Sequence, residues 1–147
     1  MELGGLPLHP LVIHAAVVFG PLAALCALGY ALLGRWRDRL RWPMLGVALV
    51  ATGAIVAAYF TGRDLLESRP ALATKALVET QEARAQLLLW VALAFGVVAV
   101  VSAWLHARDG AVRVVLRVAL AMTAVALLVQ VVRTGDAGSR AVWEVLG

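Results

Sequence analysis

The chain reads as an all-α membrane protein, four transmembrane helices in an up-down-up-down bundle, and three observations predict it. Four long apolar runs lie at about 10–34, 43–60, 85–105 and 114–132, each near the ~20 residues a helix needs to cross ~30 Å of hydrocarbon. The connections between them are charged, with arginine concentrated on alternate ones. Finally, 63% hydrophobic residues and a mean hydropathy of +0.89 exceed the apolar share of a water-soluble domain. In lipid each run must satisfy its own backbone N–H and C=O groups, which at this length only a helix does. The 147 residues are used up by four spans, so one domain over 1–147 is expected, with 61–84 as the longest connection.

Each span carries local signals. Pro10 and Pro43 are placed to open the first and second spans, where a missing N–H has no intrahelical acceptor to lose. Gly34 stands where a glycine would end the first span. Pro21 is internal; it should kink the first helix and free the carbonyl of Val17. In the second span Gly46, Ala48, Gly53 and Ala57 would allow close helix contact, which reads as bundle packing. The single Cys26, mid-span between Leu25 and Ala27, has no intrachain partner and reads as a small packing residue. Residues 1–8 contain no basic cluster, and the following apolar run is too long for a signal peptide, so the first helix is expected to be retained.

Charge gives an orientation. Arg35, Arg37, Arg39, Arg41, Arg108, Arg113 and Arg117 face only Asp38 and Asp109, a net +5 on one side. The other side carries Arg63, Arg69, Lys75, Arg84, Arg133 and Arg140 against seven acidic residues, a net −1. The positive-inside rule then puts both termini of this multi-pass protein outside the cytoplasm. Trp36, Trp42 and Trp104 fall near the inner interface, and Tyr59 and Trp143 near the outer one, as ring anchors should. The net charge of +4 does not indicate nucleic acid, because the basic residues flank spans and form no continuous patch interleaved with aromatics.

The remaining polar residues gather at the outer ends of the spans. His9 and His14 enter with the first helix, Asp64 follows the second, Gln81 and Glu82 precede the third, and Gln130, Arg133 and Asp136 close the fourth. An up-down-up-down bundle brings these segments to one face. They form a candidate ligand-binding cluster. His14 is the sharpest member, five residues and ~7.5 Å deeper than His9. It reads either as a polar group in an outer cavity or as a neutral histidine bonded to another helix; His9 reads as an interfacial cap. We expect His14 to turn toward the bundle beneath a lid formed by the second loop and the 135–143 tail, because polar groups at such depth avoid lipid. The helical stripe of Lys75, Glu79, Glu82 and Gln86 reads as a solvated face, and Asp64 and Asp136 as partners for Arg63, Arg133 or Arg140.

Chemistry beyond binding finds little support. Positions five apart on a helix differ by ~140° in direction, so His9 and His14 cannot readily share one small ion, and His106 lies at the far end. No metal site and no tightly bound haem is therefore expected within one protomer. No Ser-His-Asp order, phosphate loop or Cys/His cluster is present, which points away from an enzyme.

The segments Gly5-Leu6-Pro7-Leu8-His9-Pro10 running into His14, Thr61-Gly62, Val78-Glu79-Thr80-Gln81-Glu82 and Thr134-Gly135-Asp136-Ala137-Gly138-Ser139-Arg140-Ala141-Val142-Trp143 resemble domain-of-unknown-function family 2231, small bacterial membrane proteins. The resemblance covers nearly the whole chain and implies the same four-span architecture. In two places the chain departs from the pattern, with Gln81 where many relatives carry histidine and Gly135-Asp136 where the motif often reads glycine-histidine. Both changes remove an imidazole from the outer mouth and weaken any metal or haem role. Relatives joined to Rieske-type iron–sulfur domains imply only a loose association with membrane electron transfer. The expected function is a non-catalytic membrane subunit that scaffolds or modulates a larger assembly, in a complex or a homo-oligomer, with redox as one setting. The alternative is a redox or ligand-binding protein whose outer face takes a quinone, haem or metal. A small transporter is less favoured, since no broken helix or inverted repeat is apparent.

Overall fold

A computed structural model describes residues 2–3, 6–68 and 76–146. Arg69 and Lys75 of the second connection lie outside the described residues, as does the Trp143 side chain with its expected anchoring. A minimal hairpin, β1 (Glu2–Leu3) and β2 (Leu6–Pro7), pairs antiparallel and leads directly into α1 (Leu8–Leu32). A 3₁₀ turn at Gly34–Trp36 feeds α2 (Arg37–Ser68); α3 is Ala76–Trp104 and α4 is Ala111–Leu146. All four helices are long and apolar enough to cross a membrane, over Leu8–Leu32, Gly34–Ser68, Glu79–Trp104 and Ala111–Asp136. The packing closes a ring in which α1 lies against α2, α2 against α3, α3 against α4, and α4 against α1.

Alanine dominates the core. Ala23, Ala24, Ala27, Ala31, Ala48, Ala51, Ala92, Ala99 and Ala124 are fully buried, with Tyr30, Met44, Phe95, Leu120 and Leu127 filling the space between them. In lipid, burying apolar surface gains little over leaving it in hydrocarbon, so helix association rests on close van der Waals packing, which small residues permit. Glycine lets helices approach closely at Gly20 and Gly96, among other points. A Cβ on Gly20 would stand 3.0 Å from Val131 of α4, and one on Gly96 would stand 2.9 Å from Thr52 Oγ1 of α2. At the second point the Thr52 hydroxyl also donates to the Ala92 carbonyl at 3.3 Å, a polar bond between α2 and α3 inside the apolar zone.

Several expectations require correction. Pro43 does not open α2; the helix starts six residues earlier, at Arg37, and Pro43 lies inside it. The cost is one lost hydrogen bond to the exposed Arg39, at the end of the helix where that carbonyl meets polar surroundings. Gly34 does not end α1 in a left-handed conformation, since Gly110 alone among the described residues has positive φ, at 70°. The first turn is instead made by Leu33 with φ −97° and ψ 86°. Gly46 and Gly53 do not mediate contact within the bundle, because a Cβ on either meets nothing; α2 packs through Ala48, Ala51 and Ile55. α4 extends beyond the expected span end at 132, continuing through Gly135 to Leu146.

The arginine-rich end shows what its basic residues do locally. Helices end with carbonyls that lack intrahelical donors. Arg117 Nε donates to the Ala31 carbonyl at the end of α1, and Arg41 Nε donates to Ala103 at the end of α3, 2.9 Å away. Cations at helix C-termini also meet the negative end of the macrodipole.

Candidate functional site

At the opposite end all four helices open around a cavity of about 540 Å³. Its walls are apolar, with Ile13, Ala16 and Val17 from α1, Ile55 and Ala58 from α2, Leu88 from α3 and Val131 from α4. The polar lining is sparse: His9, Tyr59, Gln81, Thr134 and Ser139. Apolar walls with a few placed polar groups are the usual character of a small-molecule site, and this volume suits a ligand of moderate size.

His9 is held by α2. Its Nδ1 lies 3.0 Å from Thr61 Oγ1, whose own proton is directed to the Ala57 carbonyl at 2.8 Å. A hydroxyl has one proton to donate, so Thr61 accepts from His9 Nδ1–H. Nε2 is then the ring atom left for a ligand, and on a neutral imidazole it is an acceptor. Gly62 makes room for this arrangement, because a Cβ there would stand 2.9 Å from His9 Cε1. His9 therefore does more than cap the helix: with Thr61 and Gly62 it ties α1 to α2 at the cavity rim.

The other sequence-predicted residues divide. Gln81 lines the cavity beside His9, and Gly135, next to Asp136, lines it from α4. His14 is exposed on the outside of α1 and is absent from the cavity lining, contrary to the expectation that it turns inward. The reason is local: Nδ1 donates to the Pro10 carbonyl of its own helix at 2.6 Å, so the imidazole needs no partner from another helix. Asp64, Glu82, Arg133 and Asp136 are exposed and Gln130 is half-buried, none of them lining the cavity. Asp136 pairs with Arg140 at 3.1 Å, within the expected choices, whereas Arg63 pairs with Glu67 at 3.6 Å. The Arg84 guanidinium donates to the Arg133 carbonyl at 3.1 Å, joining α3 to α4.

Thr134 and Ser139 belong to the closing motif but are not among the candidate site residues. The signal that finds them is the α4 spacing itself: 131, 135 and 139 fall four apart, one helical stripe continued through the tail, with 134 beside it. A second cluster, at the arginine-rich end, is not announced by any motif in the sequence. Tyr30 is buried, and its hydroxyl meets the Ser102 carbonyl at 3.1 Å and His106 Nδ1 at 2.8 Å; His106 Nε2 in turn donates to Asp38 Oδ1 at 2.7 Å. Tyr30, Asp38 and His106 all lie near the same ends of their spans, which is the pattern that would have grouped them.

Haem and metal can be tested against these side chains. His9 is the one imidazole lining the cavity, since His14 points away and His106 is bound to Tyr30 at the far end. No group of three or more His, Cys, Asp or Glu able to hold an ion occurs among the described residues. The described donors therefore do not fit a bis-histidine haem or a multidentate metal site.

No curated protein and no solved structure matches the chain. A family described as "Predicted membrane protein (DUF2231)" matches residues 5–146, which takes in the His9 entry, the Thr61-Gly62 contact, Gln81 and the α4 tail together. With four helices able to span a membrane and that match over almost its entire length, the chain belongs to the DUF2231 family of membrane proteins.

Proposed function

We propose that the protein is a non-catalytic membrane receptor or carrier for an amphipathic small molecule with a ring-sized polar head, of the quinone and quinol class. The observation that carries this reading is the cavity to which every helix contributes, apolar in its walls and polar only at His9, Tyr59, Gln81, Thr134 and Ser139. A hydroxyl on the head group donates to His9 Nε2, and the Gln81 amide can donate to or accept from it. An isoprenoid or alkyl tail meets Val17, Ile13 and the adjoining lipid. The basic excess around 35–41 and 108–117 supports, by the positive-inside rule, an orientation with that end in the cytoplasm and the cavity in the outer leaflet of the plasma membrane.

Titration of the purified protein with a short-chain benzoquinone and its quinol, followed by equilibrium dialysis and thermal unfolding, tests the reading. Saturable binding that favours the quinol and is lost in His9→Leu supports it. Equal, non-saturable partition into wild type and variant removes it.

A role as a subunit of a larger assembly rests on a different observation. Gly46 and Gly53, seven residues apart on one face of α2, open outward beside the exposed Leu49 and Val50. Small residues on a lipid-facing stripe let a helix of another protein or protomer approach closely. Disulfide cross-linking through Gly53→Cys in a Cys26→Ala background reads this directly, and absence of any cross-linked species in native membranes counts against it.

A further inference from the structure

The arginine-rich end holds a charge that the protein does not neutralise. Arg37, the first residue of α2, is 8% exposed, lies over the Tyr30 ring at 5.2 Å, and its Nε has no hydrogen-bond partner. Arg113, in the first turn of α4, binds Asp109 Oδ1 through Nη2 at 2.8 Å, yet its Nε is buried and unpartnered. Ser102 Oγ, 2% exposed on α3, is a third orphan, and the Ser102 carbonyl is already engaged by Tyr30. The Arg37 guanidinium also hydrogen-bonds the Tyr30 hydroxyl, and Arg41 and Arg113 lie within electrostatic reach of it.

Two carboxylates belong to this end, and neither meets Arg37: Asp38 is engaged by His106 and Asp109 by Arg113. Arg41 and Arg117 donate to helix carbonyls, which satisfies hydrogen bonds without cancelling charge. A buried guanidinium without a counter-ion is costly, because desolvation is not repaid by a Coulombic partner. The cation–π contact with Tyr30 offsets part of that cost. The backbone adds to the demand for an anion. α4, 36 residues long, begins at Ala111 close to Arg113 with no acidic residue in its first turn, whereas α2 follows directly on the 3₁₀ turn and its Arg37 N–H bonds the Gly34 carbonyl.

The depth of the site is marked by aromatic rings. Trp36, Trp42 and Trp104 are all exposed, the last 80%, and guanidiniums of Arg35, Arg39 and Arg41 lie over the rings of Trp36 and Trp42 at 4.6–5.8 Å. Such rings sit at the headgroup level of a bilayer, where phosphate is the prevailing anion.

We infer that this end of the bundle is a binding site for the phosphate of an acidic phospholipid, held beside Tyr30 by Arg37 and Arg113. The phosphate supplies the acceptors that both Nε–H groups lack, and the negative charge that the Arg37 and Arg113 guanidiniums and the start of α4 call for. Arg35 and Arg39, over exposed Trp36, attract the headgroup without enclosing it.

The full-length chain, purified and delipidated in detergent, is titrated with dioleoylphosphatidylglycerol, dioleoylphosphatidylcholine or inorganic phosphate, with retained lipid counted by native mass spectrometry. One tightly retained phosphatidylglycerol per protomer is expected, in preference to phosphatidylcholine. Arg37→Gln with Arg113→Gln should weaken that binding about tenfold or more, because charge-assisted bonds to a desolvated anion are lost. Arg35→Gln with Arg39→Gln removes the same charge from exposed positions and should weaken it less than about threefold. Equal losses in the two double variants would overturn the site in favour of a diffuse surface field. Inorganic phosphate that saturates the protein and excludes phosphatidylglycerol would overturn the lipid assignment. Should the Arg37/Arg113 variant fail to fold, the wild-type titration still decides: equal retention of the two lipids sinks the proposal, and selective single-site retention upholds it.

Discussion

Thr61 and His9 share one proton-defined bond: Nδ1–H of the imidazole donates to a hydroxyl 3.0 Å away that is itself committed to the Ala57 carbonyl. This sets the tautomer of the neutral ring and joins the entrance of α1 to the exit of α2. Replacing Thr61 by valine keeps the side-chain shape and removes the acceptor. Thermal unfolding in detergent should show a loss of about 0.5–1.5 kcal/mol, the range for a polar bond between membrane helices. The same variant should bind quinol several-fold more weakly. A double cycle with His9→Ala should show that most of the Thr61→Val effect disappears when the imidazole is gone.

The two N-terminal histidines should separate cleanly by function. His14 bonds within its own helix and faces outward, so His14→Ala should leave ligand affinity within about twofold of wild type, whereas His9→Ala should reduce it about tenfold through loss of a ligand hydrogen bond. Dialysis of the two variants side by side is the measurement. A larger loss in His14→Ala would place the binding surface on the outside of α1.

Gly62→Ala should be destabilising by about 1–3 kcal/mol, since the added methyl would meet His9 Cε1 at 2.9 Å and the tethered ring has little freedom to move. In the His9→Ala background the clash is absent, so the second substitution should then cost less than about 0.5 kcal/mol. Melting curves of the four proteins give the coupling directly.

At the arginine-rich end Tyr30→Phe removes one hydroxyl from a chain that runs through His106 to Asp38. The His106 ring and the Ser102 carbonyl each lose a buried partner, and a loss of about 1–2 kcal/mol in unfolding free energy is expected. His106→Ala should produce a comparable loss, and the two together should fall short of the sum because they interrupt one network.

Orientation can be read in intact cells. In a Cys26→Ala background, a cysteine at Glu67 should react with an impermeant maleimide and one at Asp38 should react only after the membrane is opened, given that both side chains are well exposed. The reverse pattern would place the cavity on the cytoplasmic side.

The four spans were legible in the sequence because the bilayer imposes them locally: an apolar run of about 20 residues must satisfy its own backbone, whatever its neighbours do. The convergence of His9, Gln81 and the 135 region at one end followed in turn from alternating topology and short connections. Rotation of each helix about its axis was not legible, because helices apolar on nearly every face carry no strong amphipathic signal to say which side turns inward. That is why Gly46 and Gly53 were expected at contacts that Gly20 and Gly96 make instead, and why His14 was expected inward when Pro10 had already satisfied it. The Tyr30–His106–Asp38 chain was decided by tertiary structure for the same reason, whereas the start of α2 before Pro43 and the run of α4 through the tail extend helices past the apolar runs that mark them in the sequence. Where lipid and core are equally apolar, close packing and a few polar bonds choose the facing surfaces, and those depend on residues that distant parts of the chain bring together.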